Sequence, residues 1–197
     1  MSDSLFDADD AATPLTADEK NGLIPSHITL RSELNEYEQA NILAGETWAF
    51  SRRRNVVDED FLRRLHKEML KHVWKWAGEY SRESDRPIGV DAHNIRPEMR
   101  KLLDDVNYWI KNNVYPPDEL ALRFHHRLTV IHPFPNGNGR FARIAADLLA
   151  VQLGGLRFTW GRESITEVGT NVRNNYVGAL RAADTHDIGP LLAFARS

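Results

Sequence analysis

Apolar residues recur every three or four positions through most of this 197-residue chain, and this spacing constrains the fold more than any other feature. It is clearest in DEDFLRRLHKEMLKHVWKWAG, where Phe61, Leu65 and Met69 repeat every four residues. Such a stripe lies on one face of an α-helix and buries that face in a core. Asp58 precedes the stripe as a predicted N-cap, and Gly78 is predicted to end the helix.

The same spacing predicts helices along the rest of the chain. They are expected from about residue 29, from near Pro97, before Pro133, from about Asn138 to 154, over about 170–183, and near 189–194. The segment 79–95 lacks the helical period and contains Pro87 and Gly89, which predicts a long loop or a short β-hairpin. The predicted fold class is therefore all-α, with one non-helical excursion.

The length suits one domain, predicted over residues 29–197, with a loosely ordered N-terminal arm over residues 1–28. A net charge of −3 predicts no general attraction to nucleic acid or to an anionic membrane. The chain has no cysteine, which excludes disulfides, thiolate metal sites and a cysteine nucleophile. The acidic N-terminus does not resemble a signal peptide, and no apolar run is long enough to span a bilayer. A cytoplasmic location is expected.

The stretch IHPFPNGNGRFAR joins two predicted helices and concentrates residues suited to phosphate binding. The first N–H groups of a helix have no intrahelical partner and carry partial positive charge. Gly137 and Gly139 allow a ligand to approach the backbone closely, and Arg140 and Arg143 add two guanidinium groups nearby. His132 ends the preceding helix, and an imidazole suits a general base.

Simpler interpretations also fit these residues one at a time. A cluster of Gly, Asn and Pro is often only a turn, two arginines often form a solvated helix face, and a histidine at a helix end is often a cap. A metal site is not favoured, because His125 and His126 are adjacent and point to different faces of a helix. His66 lies on the apolar stripe and is predicted to be a hydrogen-bonded core histidine.

The stretch resembles the signature of the Fic (Fic/Doc) family, H-x-F-x-[DE]-G-N-G-R-x-x-R. The matching positions are His132, Phe134, Gly137, Asn138, Gly139, Arg140 and Arg143. LRRLHKEML, WKWAGEY, RPIGVDAHNI and NVRNNYVGALRAAD are similar to further segments of the family, so that the resemblance covers about residues 30–195. The whole chain looks like the compact bacterial branch called mobile mystery protein B.

The resemblance implies a Fic-type helical bundle that transfers AMP from its co-substrate ATP to a Ser, Thr or Tyr hydroxyl of a target protein. His132 would deprotonate that hydroxyl, and Phe134 would anchor the loop in the core. Gly137, Asn138 and Gly139 would form an anion hole, with Asn138 contacting the α-phosphate region. Arg140 would hold the phosphates and Arg143 would reach the terminal phosphate.

Two further sets of residues follow from the resemblance. A β-hairpin flap over about residues 87–95 would hold the target segment by main-chain pairing, with Ile88, Gly89 and Val90 in contact with it. Asn175 and Tyr176 would border the pocket for the base.

Asn136 departs from the family pattern, which has Asp or Glu at the position that binds Mg²⁺. A neutral amide oxygen is a poorer Mg²⁺ ligand than a carboxylate, which predicts weakened protein ligation of the ion. Slower adenylylation, a changed donor or reaction, and nucleotide binding without transfer would each be consistent with this change; retained catalysis is favoured because the other elements are intact.

Many Fic proteins carry an inhibitory helix of the form [ST]-x-x-x-E-[GN]. The nearest match here, from Ser32 to Glu36, fails at Tyr37, and Ser32 is predicted instead to be a helix N-cap. If no inhibitory helix is present in cis, a separate antitoxin-like protein would supply it.

Three functions therefore remain open. The chain is a protein adenylyltransferase, or a related transferase with another phosphate-containing donor (a Doc-like kinase included), or a nucleotide-binding interaction protein without turnover. Doc-like sequences lack the second glycine-rich half of the motif, which is retained here, and so adenylylation is favoured.

Overall fold

The computed structural model describes residues 21–82, 88–161 and 170–197. The helices delimited within these ranges are α1 (Arg31–Phe50), α2 (Glu59–Leu70), α3 (Ala92–Asn112), α4 (Pro117–Ile131), α5 (Asn138–Gln152), α6 (Thr170–Asp184) and α7 (Gly189–Arg196). No β-sheet forms within the described ranges, so the prediction of an all-α fold is confirmed. Each helix in these ranges is too short or too polar to cross a membrane.

The core lies where the predicted apolar stripes meet. Leu65 and Met69 of α2, Leu128 and Ile131 of α4, and Phe141 of α5 are fully buried. α1 packs against α2, α4 packs against α5, and α6 packs against α7. The site loop therefore joins α4 and α5, two helices that pack against each other.

The predicted start of α2 is confirmed, whereas its predicted end at Gly78 is wrong. The Asp58 carboxylate accepts a hydrogen bond from the Phe61 N–H at 2.7 Å. The helix ends at Leu70 because the next residues pair with the chain's N-terminal part: Lys75 N–H donates to the Gly22 carbonyl at 3.0 Å. A tertiary contact of this kind leaves no sign in the helical period.

The described end of the predicted N-terminal arm is packed rather than loose. Leu23 pairs with Trp74 in an isolated antiparallel bridge, and both Leu23 and Ile28 are buried. The expectation of a loosely ordered arm is therefore wrong for these residues, because their apolar side chains complete the core. Residues 1–20 lie outside the described ranges.

α3 begins at Ala92, five residues earlier than the predicted start near Pro97. Pro97 consequently lies inside the helix, where it lacks the N–H that would bond the His93 carbonyl. The helix tolerates this loss because His93 and Pro97 are both exposed, so that water can satisfy the carbonyl. The predicted flap range is wrong in the same place, since residues 92–95 form the first turn of α3.

Candidate active site

His132 sits at the point where α4 ends and the loop begins. It adopts the left-handed conformation, with φ 53° and ψ 58°, and its N–H donates to the Leu128 carbonyl at 3.0 Å. Such a residue caps a helix and turns the chain sharply, and Pro133 then prevents the helix from continuing. The loop closes at Gly137, whose φ of 76° caps α5. The chain thus brings the C-terminus of α4 and the N-terminus of α5 together at one loop.

The core-facing side of the loop is anchored by Phe134, which is fully buried. Its ring stacks on that of His66, with centroids 3.7 Å apart and planes inclined by 9°. Burying a phenylalanine contributes on the order of 2 kcal/mol, and a stacked partner adds to this. The predicted anchoring role of Phe134 is therefore confirmed.

Asn138 fixes the same turn by a pair of hydrogen bonds. Its Oδ1 accepts the Phe134 N–H at 2.9 Å, and its Nδ2 donates to the Phe134 carbonyl at 2.8 Å. The side chain is buried and committed to the loop. Asn138 can therefore offer a ligand its backbone N–H, at the first position of α5.

His66 holds the loop from α2, as a hydrogen-bonded core histidine, which confirms its prediction. Its Nδ1 accepts the Gly78 N–H at 3.0 Å, so the ring proton is on Nε2 and donates to the Asn136 carbonyl at 3.0 Å. Burial lowers the pKa of His66 to about 3, because desolvation of the charged ring has a larger effect than the hydrogen bond to Asn136, which raises the pKa. The ring is therefore neutral at pH 7 and acts as a fixed bridge.

Arg140 is not among the residues that line the neighbouring cleft, and its predicted contact with phosphates stays a prediction. Its Nη2 lies 2.7 Å from Glu38 Oε2 of α1, and both side chains are almost fully buried. Glu38 Oε1 also accepts the Trp74 indole N–H at 2.7 Å. Arg140 and Arg143 differ by about 60° around the helix axis, which is enough to direct one towards α1 and the other towards the cleft.

The cleft itself has a volume of about 520 Å³ and lies between the loop, α4, α5 and α6. Its lining residues are Ile88, Gly89, His126, Thr129, Val130, His132, Pro135, Asn136, Gly137, Asn138, Gly139, Arg143, Arg173, Tyr176, Val177, Leu180 and Asp184. α5 has no side-chain cap, so the N–H groups of its first turn are available at this cleft. Most of the predicted site residues thus share one concave surface.

Arg143 lies over the ring of Tyr176, with its guanidinium carbon 5.4 Å from the ring centroid. The Tyr176 hydroxyl is 3.1 Å from Nε2 of His125, a buried histidine whose pKa is lowered by desolvation and then by Arg143. Asn175 is exposed and is not among the residues that line the cleft, and its predicted role at the base pocket stays a prediction. Arg173 also lines the cleft, although the sequence analysis did not single it out. It lies three residues before Tyr176 on the same predicted helix, and this spacing places the two side chains on one face.

The segment 88–90 lies against the C-terminus of α4. Val90 N–H donates to the Ile131 carbonyl at 3.2 Å, and Ile88 and Gly89 line the cleft. Gly89 has φ +99°, and a Cβ there would lie 2.7 Å from the His132 Cβ, so only glycine fits without displacement. Residues 79–82 and 88–91 form no strand, and residues 83–87 of the predicted flap lie outside the described ranges.

Asn136 is half-buried at the edge of the cleft. Its Oδ1 accepts the Gly137 N–H at 2.7 Å, so this neutral oxygen already has one hydrogen-bond partner. The described residues contain no group of three or more histidine or carboxylate side chains that could hold a metal ion. Because Mg²⁺ requires anionic oxygen ligands, this donor set does not fit a protein-held Mg²⁺ site.

The N-cap of α1 and the acidic residue of α1 that contacts the motif differ from those considered in the sequence. The N-cap is Leu30 rather than Ser32, and Glu33 Oε2 accepts the N–H groups of Thr29 and Leu30. Glu36 is exposed on α1 and does not line the cleft. The acid of α1 that reaches the motif is Glu38, and it pairs with Arg140.

Comparison with known proteins finds similarity to the Fic/DOC family. Residues 56–150 match the model of the Fic/DOC family. "Protein adenylyltransferase Fic" of Drosophila grimshawi is 26% identical over 134 residues, which are 66% of this chain and 26% of that protein. "Probable protein adenylyltransferase aq_aa38" of Aquifex aeolicus is 31% identical over 139 residues, 69% of this chain and 40% of that protein.

A solved structure has a similar fold. The N-terminal Fic domain of a VirB-translocated Bep effector from Bartonella quintana, with bound ADP, superposes with a TM-score of 0.66. It is 18% identical and the match covers 86% of each chain. This chain spans between a quarter and two fifths of the length of the two curated relatives. The branch called mobile mystery protein B stays a prediction, whereas residues 56–150 of this chain are similar to the Fic/DOC family.

Proposed function

We propose that this chain is a protein adenylyltransferase, which transfers AMP from ATP to a hydroxyl side chain of a target protein. One observation carries the proposal: His132, the N-terminus of α5 and Arg143 line a single cleft beside the segment 88–90. A base, an anion-binding helix end and a cation are the parts that nucleotidyl transfer needs. The names of the two curated relatives support the same activity.

In the proposed reaction, the oxygen of the target hydroxyl attacks the α-phosphorus of ATP. Its proton passes to a ring nitrogen of His132, the bond between the α-phosphorus and the bridging oxygen breaks, and pyrophosphate leaves. The new bond joins AMP to the target side chain. Because His132 ends α4 beside the cleft, its imidazole is held close to the site of attack.

The negative charge on the phosphates would be stabilised by the first turn of α5. The N–H groups of Asn138 and Gly139 have no partner within the helix, and the helix dipole adds positive charge there. Arg143 would bind the terminal phosphates, and Arg173 supplies a second cation to the cleft. Arg140 is not part of this proposal, because it is paired with Glu38.

The segment 88–90 would position the target. It runs along the cleft next to His132, and the Ser, Thr or Tyr that is modified would be presented there by main-chain contacts. Mg²⁺ would enter as part of the ATP complex, since the loop offers only the neutral Asn136 amide. No step of the proposed reaction is assigned to a protein-bound metal.

A separate inhibitory protein is also proposed, of the antitoxin-like kind. Glu36 of α1 is exposed and outside the cleft, so the cis contact expected of an inhibitory helix is not made by this residue. A partner that places an acidic side chain against Arg143 would block the terminal phosphates of ATP.

The proposed activity can be tested with ATP labelled at either the α- or the γ-phosphate, in a lysate that contains candidate targets. We expect protein-bound label from the α position, and loss of that label in His132→Ala. The matched control is His72→Ala, because His72 is exposed and lies outside the cleft.

Two outcomes would contradict the proposal. Label from the γ position alone would indicate phosphorylation of the target. Nucleotide binding by calorimetry without any protein-bound label would indicate an interaction protein without turnover.

A further inference from the structure

A second cavity, the arginine pocket, lies between α2, the segment 79–82 and the first turn of α3. It is defined by Arg63 of α2, Arg82 and Arg96 of α3, and its volume is about 590 Å³. It shares no lining residue with the cleft that contains His132. The motif residues therefore do not account for it.

The arginine pocket carries an excess of positive charge. Its three arginines come from three different parts of the chain, and Glu79 is the one acid that lines it among the described residues. Arg82 Nη2 lies 2.9 Å from Glu79 Oε2, and both side chains of this pair are more than half exposed. Such a pair contributes little to stability, so Arg82 can turn to another anion at a small cost.

Arg63 is the best placed of the three arginines to hold a ligand. It is half-buried, and its Nε donates to the Gly78 carbonyl at 3.2 Å, which restrains the guanidinium group. No carboxylate of the described residues lies within ion-pair distance of it. The guanidinium carbons of Arg63 and Arg96 each lie 5.5 Å from the centroid of the Tyr80 ring, so that two cations converge around one side chain.

The first turn of α3 adds hydrogen-bond donors to the same cavity. Ala92 and His93 line the arginine pocket, and the N-cap Asp91 makes no side-chain hydrogen bond to this turn. The first N–H groups of a helix have no partner within it, and the helix dipole favours an anion there. Guanidinium groups and these N–H groups are all donors, which suits a carboxylate.

Two hydrogen bonds connect the surroundings of the arginine pocket to the active-site loop. Ser81 lines the pocket, and its N–H donates to the Pro133 carbonyl at 2.9 Å. Val90 N–H donates to the Ile131 carbonyl at 3.2 Å. The segments 79–82 and 88–90 therefore contact the loop on either side of His132.

The arginine pocket is also close to the segment proposed to position the target. Ala92 of the pocket follows Gly89 of the cleft by three residues, which span at most about 11 Å. An extended peptide advances about 3.3 Å per residue. A target whose hydroxyl meets His132 can therefore reach the pocket with a side chain within about four positions of that hydroxyl.

We propose that the arginine pocket binds an acidic side chain of the target, an Asp or Glu within about four positions of the modified hydroxyl. This inference rests on the proposed function, which places the hydroxyl beside His132. Main-chain contacts with the segment 88–90 do not distinguish one target sequence from another. The pocket adds a preference for targets with negative charge beside the acceptor.

A purely structural role for the three arginines makes a different prediction. Arg82 would only pair with Glu79, Arg96 would only pair with Glu59 at 3.7 Å, and Arg63 would only support the Gly78 turn. Loss of these contacts would change stability and would not change a preference between two ligands. Discrimination between an acidic and a neutral peptide therefore separates the two roles.

The first experiment measures the Kd of two short fluorescein-labelled peptides for the full chain by fluorescence anisotropy. One peptide has a central serine flanked by glutamates, and the other has glutamine in place of each glutamate. The parent is expected to bind the acidic peptide about tenfold more tightly, the value of one hydrogen bond between charged groups. General attraction would not produce this preference, because the chain has a net charge of −3.

Arg63→Gln should reduce that preference to about twofold, because the restrained cation is lost. The matched control is Arg64→Gln, since Arg64 is the exposed neighbour of Arg63 on α2, lies outside the arginine pocket and undergoes the same change of charge. Its preference should equal that of the parent.

A double variant tests the arginine pocket without disturbing a half-buried side chain. Arg82→Gln with Arg96→Gln changes two exposed residues, so the fold should be retained, and the preference for the acidic peptide should fall at least threefold. Equal affinities of the two peptides for the parent would overturn the inference. An unchanged preference in both pocket variants, or an equal loss in Arg64→Gln, would overturn it as well.

The α-label assay distinguishes this failure from failure of the proposed function. Sites labelled in a lysate, mapped by mass spectrometry, should have Asp or Glu nearby more often than unlabelled hydroxyls of the same proteins. Label without this excess would overturn only the role of the arginine pocket. No label, with the acidic peptide still bound through Arg63, would overturn the proposed function and the target role, while the affinity for carboxylates would stand.

Discussion

The loop between α4 and α5 has a core-facing side and a cleft-facing side, and they are built from interleaved residues of one short stretch. On the core-facing side, Phe134 and Asn138 are buried, and Arg140 pairs with Glu38. On the cleft-facing side, His132 and Arg143 line the cavity. One motif therefore contains both a scaffold and a set of ligand-binding groups, and similarity of sequence alone does not separate them.

The largest expected effect tests the core-facing side. Arg140→Ala leaves the Glu38 carboxylate buried without its cation, which should lower the free energy of unfolding by about 3–5 kcal/mol. Urea unfolding followed by circular dichroism measures this. Replacing both partners, as Arg140→Met with Glu38→Leu, should recover much of the loss, because no buried charge remains. An Arg140→Ala variant as stable as the parent would contradict the scaffold role.

Arg143→Ala should show the opposite behaviour. Transfer of label from the α-phosphate should fall about a hundredfold in kcat/KM, or about 2.7 kcal/mol, because the terminal phosphates lose a cation. The free energy of unfolding should change by less than about 1 kcal/mol. Arg100→Ala, an exposed arginine of α3, is the control and should transfer label normally. A large loss of stability in Arg143→Ala would erase the distinction between the two sides.

His66 allows the core-facing side to be tested by pH. Its pKa is lowered to about 3 in the folded protein, whereas it is about 6.5 in the unfolded chain. Between pH 6.5 and pH 3, His66 is therefore protonated in the unfolded state but not in the folded state. The stability due to neutral His66 is therefore complete above pH 6.5 and is lost as pH falls towards 3.

The variant His66→Phe lacks this titration. The difference in unfolding free energy between the parent and His66→Phe should shrink by about 2 kcal/mol between pH 7 and pH 5. His125, whose pKa is also lowered by burial, is present in both proteins and cancels in the difference. A difference that stays constant with pH would show that His66 is charged or exposed in the folded state.

The smallest effect concerns Asn136 on the cleft-facing side. Asn136→Asp keeps an oxygen for the Gly137 N–H and adds a negative charge at the edge of the cleft. We expect a severalfold faster transfer and a lower Mg²⁺ concentration at half-maximal rate, with stability changed by less than about 0.5 kcal/mol. A slower variant would mean that the amide is itself adapted to the reaction.

The helices could be predicted because each buries one stripe of apolar residues. Such a stripe is visible in the sequence as apolar residues that recur every three or four positions. The early end of α2 could not be predicted, since it depends on the pairing of Lys75 with Gly22. The early start of α3 could not be predicted either, since it depends on the exposure of Pro97. Tertiary contacts of this kind override local propensity.

The residues of the site also divide into those that the sequence predicts and those that depend on tertiary contacts. His132, Gly139 and Arg143 were found from their spacing, whereas the burial of Arg140 depends on Glu38, which is 102 residues away. His126 and Asp184, which also line the cleft, pair across two helices whose packing the sequence does not specify.

The hydrogen bond from Val90 to the Ile131 carbonyl has a mechanical consequence. The segment 88–90, which is proposed to present the target hydroxyl, is hydrogen-bonded to the last residue of α4. That residue directly precedes His132, the proposed base. Any tilt or shift of this helix end therefore carries both parts together and leaves their separation unchanged. The alignment between the hydroxyl and His132 should thus tolerate motions of α4 better than it tolerates a side chain at position 89.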